Sequence, residues 1–125
     1  SRMFHPLRHN GRVTLVGVLV LVAVAACAPG FQVTKFNNDN AALFGATMRE
    51  YRAERWDNAI AGFERLTLEL PARDTLLPVA HYYLGLAHGH RREHLLAAQA
   101  FSRLTETFPD HELADDALYG AARSY

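Results

Sequence analysis

The chain has 125 residues, with 13 Lys and Arg balanced by 13 Asp and Glu, and a single cysteine. One cysteine excludes an internal disulfide or a four-thiolate metal site within the chain. The balanced charge gives no electrostatic footprint for nucleic acid, and no such partner is expected.

The first predicted element is an export signal. Met3 reads as the natural start, with Ser1 and Arg2 upstream of it, and the basic residues Arg8, His9 and Arg12 precede an uncharged run from Val13 to Ala26. That run is 14 residues long, whereas a membrane-crossing helix needs about 20. It has the length of a signal-peptide core and ends in small residues suited to peptidase cleavage. Val24-Ala25-Ala26-Cys27 resembles the lipobox of bacterial lipoproteins, which implies that the Cys27 thiol carries a thioether-linked diacylglycerol. Two other readings stand beside lipidation. One is ordinary cleavage at Ala26-Cys27-Ala28, which the following Pro29 disfavours, and the other is an uncleaved anchor, for which the run is short. Arg2, Arg8 and Arg12 precede Cys27 and no acidic residue does, so cleavage leaves 10 basic against 13 acidic residues, a net charge of about −3.

Residues 27–40 contain Pro, Gly and Asn without sustained periodicity and read as a flexible tether between lipid and domain. Asp39 or Asn40 can cap the helix that follows. From residue 41 onward the apolar period is helical, predicting helices over 41–54, 57–70, 76–89, 93–107 and 113–125.

These helices repeat. Ala59, Phe63, Leu66 and Pro71 recur as Ala97, Phe101, Leu104 and Pro109, each 38 residues later. Small residues allow helices to approach closely, phenylalanine fills the groove between them, and proline stops a helix because it has no N–H. The apolar stripes Ala59, Ile60, Phe63, Leu66, Leu70 and Ala97, Ala100, Phe101, Leu104, Phe108 therefore read as core. A third unit begins at Ala117-Leu118-Tyr119, with Ala117 and Tyr125 standing 37 residues after Ala80 and His88. The sequence stops within that helix, so the chain reads as the front portion of a longer array.

The A-x3-F-x7-P spacing, with Leu84-Gly85 in the preceding helix, resembles the tetratricopeptide repeat. The first copy departs from the pattern, with Ala46-Thr47 in place of Leu-Gly and Glu54 where a turn glycine is usual. The expected fold is thus all-α: a tetratricopeptide-like helical-hairpin solenoid of about two and a half repeats over 41–125, after a lipoprotein signal peptide over 1–26 and a lipidated tether over 27–40. Lipobox, tether and degenerate repeats together are similar to the tetratricopeptide lipoprotein of the outer-membrane β-barrel assembly machinery, the BamD family. The residues bearing the likeness are Val24 to Cys27, Trp56-Asp57-Asn58-Ala59-Ile60-Ala61-Gly62-Phe63-Glu64, Phe108-Pro109-Asp110 and Ala114-Asp115-Asp116-Ala117-Leu118-Tyr119.

The resemblance implies a non-catalytic adaptor on the periplasmic face of the outer membrane, holding barrel-assembly subunits or unfolded outer-membrane proteins. Arg49, Arg52, His81 and His88 are the expected groove contacts. A periplasmic repeat protein that works with the Tol-Pal system has similar repeats and supplies the alternative reading, although that family is normally soluble.

One string looks catalytic. His90-Arg91-Arg92-Glu93-His94 is a literal H-x-x-E-H match to a zinc-protease motif. In the repeat frame it straddles a turn, so His90 and His94 would not share a helix face; a solvated turn is expected, and a zinc-dependent hydrolase using His90, Glu93 and His94 stands as the outside alternative. No catalytic residue, metal or cofactor is assigned.

Overall fold

The computed structural model describes residues 30–124. They form a short 3-10 turn at Val33–Phe36 followed by α1 (Asn40–Arg52), α2 (Trp56–Glu69), α3 (Leu76–His90), α4 (His94–Thr107) and α5 (Ala114–Ser124), with no strand among the described residues. Each helix packs chiefly on its neighbours in sequence, and α3 also meets α5. The fold is therefore all-α, a helical-hairpin repeat solenoid in which α1–α2 and α3–α4 are the two hairpins and α5 opens a third unit. Residues 1–26, read as a signal peptide, and the expected lipidation site Cys27 lie outside the described residues.

Local chemistry sets the helix ends. The Asp39 carboxylate accepts a 3.0 Å hydrogen bond from the Ala42 N–H and so caps α1. Pro71 and Pro109 stand directly after Leu70 and Phe108, whose N–H groups close the last turns of α2 and α4 at 2.9 and 2.8 Å. Pro78 sits in the first turn of α3, where a missing N–H breaks no helical bond.

The two hairpin turns are congruent at the 38-residue offset. Glu54 and Arg92 both adopt left-handed backbone, at φ 59° and 60°. The next N–H reaches back to the preceding helix in each case, Arg55 to the Glu50 carbonyl and Glu93 to the His88 carbonyl, both at 3.0 Å. This closure satisfies carbonyls left over at a helix C-terminus and normally selects glycine. Here the shape persists with glutamate and arginine in the glycine's place.

The segment read as a tether is structured over part of its length. Phe31, Val33 and Phe36 are partly buried against the first hairpin, and the Phe31 and Phe36 rings lie 6.1 Å apart. Three large apolar side chains within six positions have surface to bury, whatever the surrounding Gly and Asn residues suggest.

The repeat phenylalanines fill the core. Phe63 is fully buried among Phe44 and Tyr51 of its own hairpin and Tyr83 of the next, with ring centroids at 6.3, 6.3 and 5.9 Å. Phe101 is 4% exposed and lies between two glycines. A Cβ at Gly85 would come within 2.6 Å of its ring, and one at Gly120 within 2.8 Å. Both glycines thus make room for one ring, Gly85 from the same hairpin and Gly120 from the following unit.

Candidate partner-binding surface

Helix α3 is apolar nearly all round, which places it at the centre of the array rather than on one side. Its residues Ala80, Leu84 and Ala87 are buried. Tyr82, Leu86 and Gly89, at helical spacing on another face, line a cleft of about 530 Å³ between α3 and α5. Phe101 of α4 contributes to its floor, and Asp116, Tyr119 and Arg123 form the α5 wall. Tyr119 is 65% exposed, and the Arg123 guanidinium lies 5.6 Å from its ring centroid. Such a pairing presents a flat aromatic surface backed by a cation. Gly89 has open space where a Cβ would point, so the cleft is unobstructed there. Burial, then the Asp116 carboxylate, push the Tyr82 phenol above its ordinary range, keeping it a neutral hydroxyl. A concave, aromatic-lined surface with a few polar groups is suited to holding a peptide or a helix.

The four expected groove contacts are not brought together. Arg49 and Arg52 are exposed on α1. His81 and His88 are only 7% and 5% exposed and lie on a different face of α3 from Tyr82 and Leu86, lining a second cleft with α2 and α4. The 3.6-residue period separates positions 81 and 88 from 82, 86 and 89, and that separation was the available signal. The cleft residues Tyr82, Leu86, Gly89, Tyr119 and Arg123 were missed because an all-round apolar helix does not reveal which of its faces lacks a neighbour.

His88 is a structural residue of the second turn. Its Nδ1 lies 2.6 Å from Glu93 Oε2, so this nitrogen carries the proton, and its Nε2 is 3.9 Å from Glu64 Oε1. The bond from His88 holds the Glu93 carboxyl below the usual carboxylate range, and the Arg91 charge adds to this. At the equivalent position of the first turn, Arg55 Nε donates to Glu50 Oε2 at 2.5 Å and Nη2 to Oε1 at 3.2 Å, while Asn58 donates to the same carboxylate at 3.0 Å. The pair 50/55 is thus acid then base, and the pair 88/93 is base then acid. Arg91 further ties the second turn to Asp57 of α2 and lies 3.1 Å from Glu93.

The H-x-x-E-H string spans this turn. His90 ends α3, Glu93 precedes α4 and His94 begins it. The His90 ring stacks on Trp56 at 4.1 Å with the planes 2° apart. Glu93 is engaged by His88 and Arg91. Among the described residues, no group of three or more His, Cys, Asp or Glu side chains is placed to hold a metal ion.

Comparison with protein-family models and with curated proteins finds no match to this chain.

Proposed function

We propose that this chain is a lipid-anchored repeat scaffold which holds protein partners on the periplasmic face of the outer membrane, in the service of β-barrel protein assembly. Two features support the reading: the lipobox-like Val24-Ala25-Ala26-Cys27, and a helical repeat whose α3–α5 cleft is open and aromatic-lined. The single observation that carries the binding role is the pair of exposed Tyr119 and unobstructed Gly89 facing the same cleft. Solenoids use surfaces of this kind for extended peptides and partner helices because side chains from successive units line one continuous wall.

The test is a crosslinked pull-down of the tagged, full-length protein from membranes, with partners identified by mass spectrometry. Cys27→Ala separates anchoring from binding, and Gly89→Trp fills the cleft at a position where added atoms meet open space. Barrel-assembly subunits are expected with the unaltered chain, and both substitutions should deplete them. Recovery of Tol-Pal proteins, or of no envelope partner, overturns the assembly role. Unchanged capture with Gly89→Trp moves the binding surface elsewhere.

A further inference from the structure

The second cleft, on the α2–α4 side, has a self-complementary pattern that the peptide-binding reading does not use. It measures about 210 Å³ and has His81, Leu84 and His88 of α3 as its floor. Glu64, Thr67 and Leu68 of α2 form one wall, and Leu96, Gln99 and Arg103 of α4 form the other. The flanking helices both run antiparallel to α3, which fixes the order of residues along the cleft. Glu64 and Leu96 lie at the His88 end, consistent with the 3.9 Å approach of Glu64 to His88. Leu68 and Arg103 lie at the other end, where Arg103 acts on His81 electrostatically.

Two leucines and two opposite charges therefore occupy alternate corners. Leu68 is 86% exposed and Leu96 45% exposed, so both apolar corners face outward. Leu68 departs from the buried stripe of its helix, formed by Ala59, Phe63, Leu66 and Leu70, and no intramolecular packing accounts for it. Arg103 makes no ion pair among the described residues.

We infer that this face associates with the same face of a second copy of the chain. A two-fold axis along the Leu68–Leu96 diagonal places each leucine against its own counterpart. The same axis brings Glu64 of each copy to Arg103 of the other, giving two equivalent ion pairs. An isologous contact requires such self-complementarity, and a face with one charge sign or one apolar corner would lack it. Two short helix faces fall at the small end of interface sizes, which makes the dimer a weak, reversible one. The inference is independent of the α3–α5 cleft and of its partner.

Sedimentation equilibrium of the detergent-solubilised full chain tests it through charge reversal. Glu64→Arg alone creates two arginine–arginine contacts, and Arg103→Glu alone creates two glutamate–glutamate contacts, so each variant should associate about tenfold more weakly or worse. Mixing the two variants restores both ion pairs, and the mixture should regain the unaltered affinity. Leu68→Glu should leave a monomer with unchanged helical circular dichroism, because the side chain is already in solvent. Self-association driven by the apolar run 13–26 would be indifferent to all these changes, and that result overturns the proposal. A monomer at every concentration, or a mixture no tighter than its components, also overturns it.

Discussion

Thr47 occupies the space that a side chain at Gly62 would need. A Cβ built on Gly62 would come 2.6 Å from Thr47 Cγ2 and 2.8 Å from its Cβ. The Thr47 hydroxyl cannot swing away freely, since it donates a 2.7 Å hydrogen bond to the Leu43 carbonyl within a fully buried site. The equivalents 38 residues later are Gly85 and Ala100. Where one copy has the larger residue on its first helix and glycine on its second, the other copy has the reverse. The departure from Leu-Gly in the first repeat is therefore one half of a compensated pair.

This exchange is testable as a cycle. Gly62→Ala should destabilise the chain by about 1–3 kcal/mol through overpacking. Thr47→Gly should also destabilise it, by about 1 kcal/mol or more from helix propensity and lost packing. The double variant, which copies the second hairpin into the first, should lose less than the sum of the two. Urea unfolding of all four proteins measures the coupling, and simple additivity would show that the two positions do not share a space.

The Phe101 seat gives a second prediction. Gly120→Ala forces the ring and α5 apart, so amide hydrogen exchange should accelerate in α5 before it does in α1 and α2. Phe101→Ala empties the seat and should cost about 3–5 kcal/mol by urea unfolding. Equal acceleration in all five helices after Gly120→Ala would mean that the array opens as one unit.

Burial, and secondarily Arg103, push the His81 imidazole below its ordinary pKa. A histidine depressed in the folded state binds fewer protons there than in the unfolded chain. Its contribution is complete above about 6.5, the unfolded value, and is lost as pH falls through that value toward the folded one. Urea midpoints should therefore fall between pH 7.5 and 5.5. His81→Leu, which removes the titrating group from its buried site, should flatten that slope, and a parallel slope in the variant would locate the titration elsewhere.

The turn carboxylates respond at lower pH. The hydrogen bond from Arg55 is the first cause holding Glu50 below its ordinary value, and the bond from His88 does the same for Glu93. Depressed carboxylates contribute stability above about 4.3, the unfolded value for glutamate, and lose it as pH falls through their folded values. Glu50→Gln and Glu93→Gln should each weaken the chain at pH 6 and narrow the difference from the unaltered protein at pH 3. A constant difference across that range would remove the ionised form from the account.

Much of this fold is legible in the amino-acid order, because the 38-residue recurrence of Ala, Phe, Leu and Pro reports helix contacts and helix ends directly. The five predicted helices and the observed ones differ by at most two residues at an end. Local cues failed where tertiary contacts decided the outcome. Phe31, Val33 and Phe36 are too irregularly spaced to signal an element, yet they cover the first hairpin. Glu54 lacks the glycine that marks a left-handed turn, and its conformation is set by the bonds on either side of it. His81 and His88 read as groove contacts alongside Arg49 and Arg52, but seven residues is almost two full turns, and the face of α3 they share is the one enclosed by α2 and α4.

The seats of Phe63 and Phe101 have a bearing on the order in which the chain acquires its structure. Each ring takes one wall from its own hairpin and the other from the helix that comes next, Tyr83 in one case and Gly120 in the other. A hairpin emerging from a ribosome or a translocation channel thus remains half-finished until its successor arrives. Growth from the N-terminal end leaves the newest ring half-covered at every step until the next helix arrives, whereas growth in the reverse direction would seat each ring as soon as its own hairpin was added. The array is directional in assembly although its repeats look interchangeable.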